Sequence, residues 1–336
     1  MDLSAHYLGL NLRNPLVASA SPLASSVDGV RRLARGGVAA VVLPSMFEEE
    51  LHREAAQNAA LLQAGSDSVP ESLSYFPDIA GPEPNPHRYL SLVERAAATV
   101  DVPVIASLNA ITAGGWTRYA SALEKAGAAA IELNIYHLPD DALTPGRELE
   151  QRHIDVLASV KAAVSIPVAV KLSPYYSSIG EMAHRFDQAG ADGLVLFNRF
   201  LHPGIDPETL TMTAGLGLSS PAEGRLPRTW IARLAGRLRA GLAASTGVED
   251  VADVAAYLLA GADVVMTTSS LLRHGPDHAM ELAGELTAWM NRKEFTSLSD
   301  FRGLLTVSAG PAAAARERAG YVRSLRAADR GEGPWY

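Results

Sequence analysis

Residues 241–274 read GLAASTGVEDVADVAAYLLAGADVVMTTSSLLRH. A short apolar run, Gly241 to Thr246, gives way to a segment with apolar positions three and four apart, Val251 to Leu259. Gly261 follows, then a second apolar run, Val264 to Ser269. The two runs lack the polar alternation of a half-exposed strand, so each reads as a strand covered on both faces, with a helix between them. Gly261 stands where a helix turns back through a left-handed corner. The stretch is therefore one strand–helix–strand unit of a parallel sheet.

Outward from it, the same joint recurs in ARGGVAAVV, KAGAAAIEL and QAGADGLVL, with Gly37, Gly127 and Gly190 in the place of Gly261. Apolar runs of the same kind occupy Asn14 to Ala20, Ala39 to Pro44, Pro103 to Asn109, Ala130 to Tyr136, Pro167 to Pro174 and Gly193 to Asn198. Helical periodicity fills the intervals, at Val30 to Ala34, Tyr89 to Thr99, Trp116 to Ala126, Ile154 to Ala163, Ile179 to Gln188 and Thr229 to Arg239. Eight such units predict an α/β fold, a single (β/α)8 TIM barrel over residues 1–308. An open doubly wound sheet would have fewer strands and a GxGxxG after its first, which is absent. The leading DLSAHYLGLNLRNP predicts a hairpin closing the bottom of the barrel, and residues 309–336 a helical and polar tail. Long excursions after the second strand (Met46 to His87) and the sixth (Arg199 to Arg228) are expected to cover a site, because barrel sites are built from these loops.

The 336 residues are 48% hydrophobic and 20% charged, with 29 Lys and Arg against 37 Asp and Glu, a net charge of −8. That balance argues against a nucleic-acid partner and for a small-molecule substrate. There is no cysteine, which excludes disulfides, a thiolate nucleophile and any iron–sulfur cluster ligated by this chain's own thiolates. No apolar stretch approaches the roughly 18 residues of a spanning helix, and no signal sequence opens the chain, so no membrane contact and a cytoplasmic location are expected.

Side chains at the carboxyl ends of barrel strands point to the mouth, which directs attention to Ser19, Ser21, Ser45, Ser107, Asn109, Asn134, Lys171, Asn198, Thr246, Gly247, Thr267 and Thr268. Lys171 in VAVKLSP sits inside an apolar strand, where an ammonium needs an anionic or electron-rich partner. The last two strands end in STGVED and TTSSLLRHG, whose small residues expose backbone N–H groups suited to a phosphate; the same residues also serve as ordinary helix caps. His87, His202 and His274 rank below His137 as loop histidines with chemistry. FEEELHRE reads as a solvated first helical turn, Tyr75, Phe76, Tyr175 and Tyr176 as loop aromatics able to line a planar ligand, and HLPDD lacks the company of a metal site, so no metal is expected.

In order along residues 5 to 305, NPLVASASPL, ELNIYH, VAVKLSPYY, LVLFNR, ASTGVEDVADVAAYLLAGADVVMTTSSLLRHG and DFRG resemble the successive motifs of the dihydroorotate dehydrogenases, FMN-dependent barrels of pyrimidine synthesis. The resemblance is closest to the soluble class and its relatives. It implies FMN as cofactor, held by Ala18, Ser19, Ala20 and Ser21 at the first strand, by Ser45, Asn109, Asn134 and Lys171, and at its phosphate by Thr246, Gly247, Thr267 and Thr268. It implies substrate contacts from Asn109, Asn134 and Asn198, with Lys171 near the flavin ring where a cation favours the reduced anion. A homodimer is also implied.

Two of the phosphate positions carry threonine where the family usually has glycine, and the chain departs from the family at three further places. Pro44 stands where soluble members carry a lysine, with Ser45 after it. Glu71 in ESLSYFPD aligns with a substrate-binding asparagine and would bring a carboxylate near an anionic substrate. His137 aligns with the catalytic base, a cysteine or serine in the family, and its ordinary pKa near 6.5 suits proton abstraction at neutral pH. The expected activity is a CH–CH oxidoreductase converting dihydroorotate to orotate, with His137 and Lys171 as catalytic residues. Two rivals stay open on sequence alone: a flavin-free aldolase forming a Schiff base at Lys171, and a flavin subunit passing electrons to an iron–sulfur partner.

Overall fold

The computed structural model describes residues 1–47, 86–109, 116–135, 143–200, 203–213, 215, 217–307 and 310–329. The expected strands all appear, shorter at one or both ends except for the second, which runs past Pro44. They are β3 (Leu16–Ala18), β4 (Ala40–Phe47), β5 (Val104–Asn109), β6 (Ala130–Asn134), β7 (Val168–Lys171), β8 (Gly193–Leu196), β11 (Gly241–Ala244) and β12 (Val264–Thr267). They close into one barrel in the order β11-β12-β3-β4-β5-β6-β7-β8, every neighbouring pair parallel. This is the (β/α)8 architecture, with helices packed outside.

The corners behave as the repeated glycine words imply. Gly37, Gly127, Gly190 and Gly261 have φ of 104°, 93°, 93° and 110°. At Gly261 the need is double: the backbone is left-handed, and a Cβ there would lie 2.5 Å from that of Ala235.

Two side-chain layers follow from strand alternation. Leu16, Val41, Val104, Ile131, Val170, Leu194, Leu242 and Val265 pack outward against helix residues such as Leu33, Val93, Leu123, Leu157, Phe186 and Leu258. Val17, Val42, Ile105, Ala130, Ala169, Val195, Ala243 and Met266 point inward and form a separate inner core. The bottom of that core is capped by the hairpin β1 (Ala5–Tyr7) and β2 (Leu10–Leu12), which contributes Tyr7, Leu8 and Leu12. The fit is close: a Cβ on Gly193 would lie 2.7 Å from both the Tyr7 hydroxyl and Leu8 Cδ2.

The excursion after β8 contains an antiparallel hairpin absent from the sequence reading, β9 (Gly204–Asp206) with β10 (Thr211–Thr213). Three-residue strands with exposed Ile205 and Met212 carry too little periodic signal to be recognised. The tail forms a helix, Pro311–Asp329. Among the described residues no helix is long and apolar enough to cross a membrane.

Candidate active site

Because strands alternate, one pleat above the inner apolar layer the inward positions become Ser19, Ser107, Glu132, Lys171 and Ser245, all buried. The barrel interior thus changes from hydrocarbon to polar groups just below the mouth. Lys171 Nζ donates to Ser19 Oγ at 3.2 Å and lies 3.5 Å from Glu132 Oε1. A buried ammonium needs such company, and the sequence expectation of an anionic partner for Lys171 is met by Glu132 on the adjacent strand.

At the rim of β6 and just beyond the end of β8, Asn198 Nδ2 donates to Asn134 Oδ1 at 2.7 Å. This bond leaves the remaining amide groups of both residues for a ligand. Across the barrel Ser45 and Ser107 share a hydroxyl–hydroxyl bond of 2.8 Å, so Ser45 is turned to its neighbouring strand. Asn109 is buried, and its Oδ1 has no hydrogen-bond partner among the described residues.

The ends of β11 and β12 form the opposite side. Thr246 has φ of 80° and Gly247 of 69°, two consecutive left-handed residues that turn the chain sharply after β11. A β-branched residue in that conformation is strained by roughly 1–3 kcal/mol. It is held there by the buried Tyr257 hydroxyl, which donates to the Thr246 carbonyl at 2.6 Å. Burial also drives the Tyr257 phenol well above its ordinary pKa, so it remains a donor. Gly247 admits no side chain, since a Cβ would sit 2.5 Å from the Gly224 nitrogen and 2.8 Å from the Ser220 carbonyl. Its N–H is 3.2 Å from Ser219 Oγ, which is itself tied to Ser269 Oγ at 3.0 Å. Thr268 Oγ1 bonds the Ser19 carbonyl at 3.0 Å, joining the last strand to the first, and Thr267 Oγ1 bonds Ser270 Oγ at 2.8 Å.

One cavity of about 340 Å³ gathers most of these groups: Ser19, Ala20, Ser21, Lys171, Asn198, Thr246, Gly247, Thr267 and Thr268 all line it. Asn134 reaches it through Asn198. Ala18 packs outward among the helices, and Ser45 and Asn109 belong to the far wall. His137, Glu71, His202, Tyr75, Phe76 and the HLPDD segment lie outside the described residues. His87, in the first turn of the helix Pro86–Ala97, lines a separate surface cavity with Ser25, Ser26, Asp28, Arg88 and Arg95, and His274 pairs with Glu249 at 2.7 Å. Tyr175 lies at the rim, edge-on to Phe200 with ring centroids 5.4 Å apart, and beside Asn198 and Arg199 it lines a second, adjoining cavity of about 490 Å³.

Several lining residues were missed from sequence: Arg199, Gly217, Ser219 and Ser269. Three lie in or near the excursion after β8, where no periodicity places them. Glu132 was missed for a different reason. A glutamate two residues before Asn134 in an apolar strand must point inward with it, and that signal was legible.

Fold and site together describe a (β/α)8 enzyme whose polar mouth combines the buried Lys171 cation, the hydrogen-bonded Asn134–Asn198 amide pair and a left-handed turn at the end of β11. The chain belongs to the dihydroorotate dehydrogenase family, an oxidoreductase family, matching it over residues 75–290. It is 27% identical over 311 residues to the catalytic subunit of dihydroorotate dehydrogenase B (NAD(+)) of Methanothermobacter thermautotrophicus, covering 90% of this chain and 98% of that one. The corresponding subunit of Thermoplasma volcanium is 26% identical over 309 residues, with the same coverage. Dihydroorotate dehydrogenase A (fumarate) of Limosilactobacillus reuteri is 24% identical over 321 residues, covering 89% of this chain and 96% of the relative.

Proposed function

We propose that the chain is an FMN-dependent dehydrogenase that oxidises a CH–CH bond, converting dihydroorotate to orotate. The observation that carries this reading is the placement of Lys171, the Asn134–Asn198 pair and the Thr246–Gly247 turn around one cavity. A flavin mononucleotide fits that donor set: the small Ser, Thr and Gly residues at the ends of β11 and β12 line the cavity where a phosphate would sit, and the buried Asn109 Oδ1 awaits a donor such as a ring N–H. Thr246, Gly247, Thr267 and Thr268 would hold the phosphate, and Ser19, Ala20, Ser21 and Lys171 the ring. When bound, the flavin supplies a two-electron acceptor for hydride.

The chain's own residues then divide the work. Asn134 and Asn198 orient a planar cyclic substrate by hydrogen bonds to its edge, and Lys171 keeps a positive charge at the cavity floor where negative charge accumulates on reduction. His137 removes the proton from the carbon next to the one that gives up hydride. Family membership favours this chemistry over a Schiff base at Lys171. Because the Methanothermobacter and Thermoplasma relatives are named as catalytic subunits, the reading extends to a chain that passes its electrons to a partner subunit, and the family resemblance extends it to a homodimer in the cytoplasm. Exposed Ile205 and Met212 on the β9–β10 hairpin offer such assembly an apolar contact.

The test is spectroscopic. The purified protein is expected to show flavin absorbance near about 450 nm that bleaches when dihydroorotate is added without oxygen, and His137→Ala to abolish the bleaching. A yellow protein that does not bleach rejects the substrate. A colourless protein that takes up no FMN rejects the flavin and restores the Schiff-base rival.

A further inference from the structure

The inner core of the barrel contains a carboxylate that the reaction above does not use. Glu132 lies on β6 between Ala130 and Asn134, and its side chain is only 1% exposed. Neither of its oxygens has a hydrogen-bond partner among the described residues. Its strand-register neighbours are Ser107 on β5 and Ala169 on β7. Among the described residues the cation against it is Lys171 Nζ, 3.5 Å from Oε1, on a side chain itself only 10% exposed. Lys171 in turn donates to Ser19 Oγ at 3.2 Å.

Burying a carboxylate without hydrogen bonds is unfavourable, and an apolar residue would fill the same space among alanines at less expense. Packing therefore gives no reason for a glutamate at this position. A carboxylate below and to one side of the lysine does have an electrostatic effect. It attracts the ammonium to one place at the cavity floor, and it offsets part of the positive charge that a ligand above would feel.

We propose that Glu132 is a positioning residue for Lys171: as an anion within the barrel it fixes the ammonium at the floor of the ligand cavity and sets how much positive charge the site presents. Glu132 touches neither substrate nor cofactor. Its main effect on the reaction passes through Lys171, and the inference rests on the flavin reading above for its redox consequence.

The test is a cycle of three variants in the full-length holoprotein, E132Q, K171M and E132Q/K171M. Three quantities are read: apoprotein melting temperature, midpoint potential of bound FMN, and steady-state kinetics. K171M strands the buried carboxylate and is expected to melt well below the parent, and E132Q/K171M to recover most of that loss. E132Q is expected to lower kcat by about tenfold or more with KM within about threefold, and to move the flavin potential upward because the ammonium is no longer offset. In the K171M background E132Q is expected to change potential and kcat much less than in the parent, the remainder being the carboxylate's own charge. Equal effects of E132Q in both backgrounds, or an unchanged potential in E132Q that retains its flavin, overturn the proposal, since a merely structural glutamate behaves in that way. Should E132Q fail to fold alone, K171M against E132Q/K171M carries the comparison, and a double variant no more stable than K171M overturns it. A parent protein that binds no FMN refutes the flavin reading instead, and the four melting temperatures then decide whether the two residues act as a pair.

Discussion

The two ends of the barrel are made from the same eight strands and are built on opposite physical terms. At the bottom, the β1–β2 hairpin drives Tyr7, Leu8 and Leu12 into a space lined by Val17, Ala169, Val195 and Ala243. At the mouth, a few ångströms further along the same strands, the inward positions are Ser19, Glu132, Lys171 and Ser245. The bottom is stabilised by contact. The mouth carries a strained threonine, an orphaned amide oxygen and a buried charge pair, each unfavourable by itself. Stability and chemistry are thus separated along the strand axis, with the apolar layer supporting a polar one that could not fold alone.

Substitutions should therefore sort by end. Tyr7→Ala empties a fully buried aromatic site at the bottom and is expected to destabilise by about 3–5 kcal/mol in denaturant unfolding, with ligand affinity retained where the protein is folded. A large loss of affinity at low denaturant would break the separation. Gly247→Ala at the mouth places a methyl against the Gly224 backbone at positive φ. A cost of about 1–3 kcal/mol is expected together with at least about tenfold weaker FMN binding by fluorescence titration. Tyr7→Phe sharpens the bottom of the comparison: the hydroxyl has no partner among the described residues, so its removal is expected to be neutral or stabilising by up to about 1 kcal/mol.

The smallest effect is one of pH. Asp300 accepts hydrogen bonds from the backbone of Ser297 and Thr296, which hold its carboxyl at about 2 in the folded chain against an ordinary 3.8. A carboxyl lowered on folding contributes stability above 3.8 that fades as pH falls toward about 2. Asp300→Asn is expected to flatten this acid limb in thermal melts between those values, and an unchanged limb would show that the turn at Leu298–Asp300 is already lost before the carboxyl titrates.

Much of this was legible in the chain itself. The order of strands and helices, the hairpin plug and the mouth residues follow from apolar runs and from glycine at four corners, because both signals are local and periodic. Lys171 announced itself as a cation out of place, and its need for an anion was correctly read, though the partner was not named. Illegible were the contributions of the β8–α excursion, where Arg199, Gly217 and Ser219 reach the cavity through loop geometry that no period encodes. Ala18 illustrates the finer limit. The family resemblance implies that it contacts the flavin, whereas alternation turns it outward and Ser19 faces in.

The four left-handed corners carry a consequence for how such a chain changes over generations. At Gly37 and Gly261 the backbone angle and the crowding atoms together reject any side chain, so mutational drift there is almost closed, while the apolar residues on either side interchange freely. The corners act as fixed punctuation, and the sentences between them are free to be rewritten.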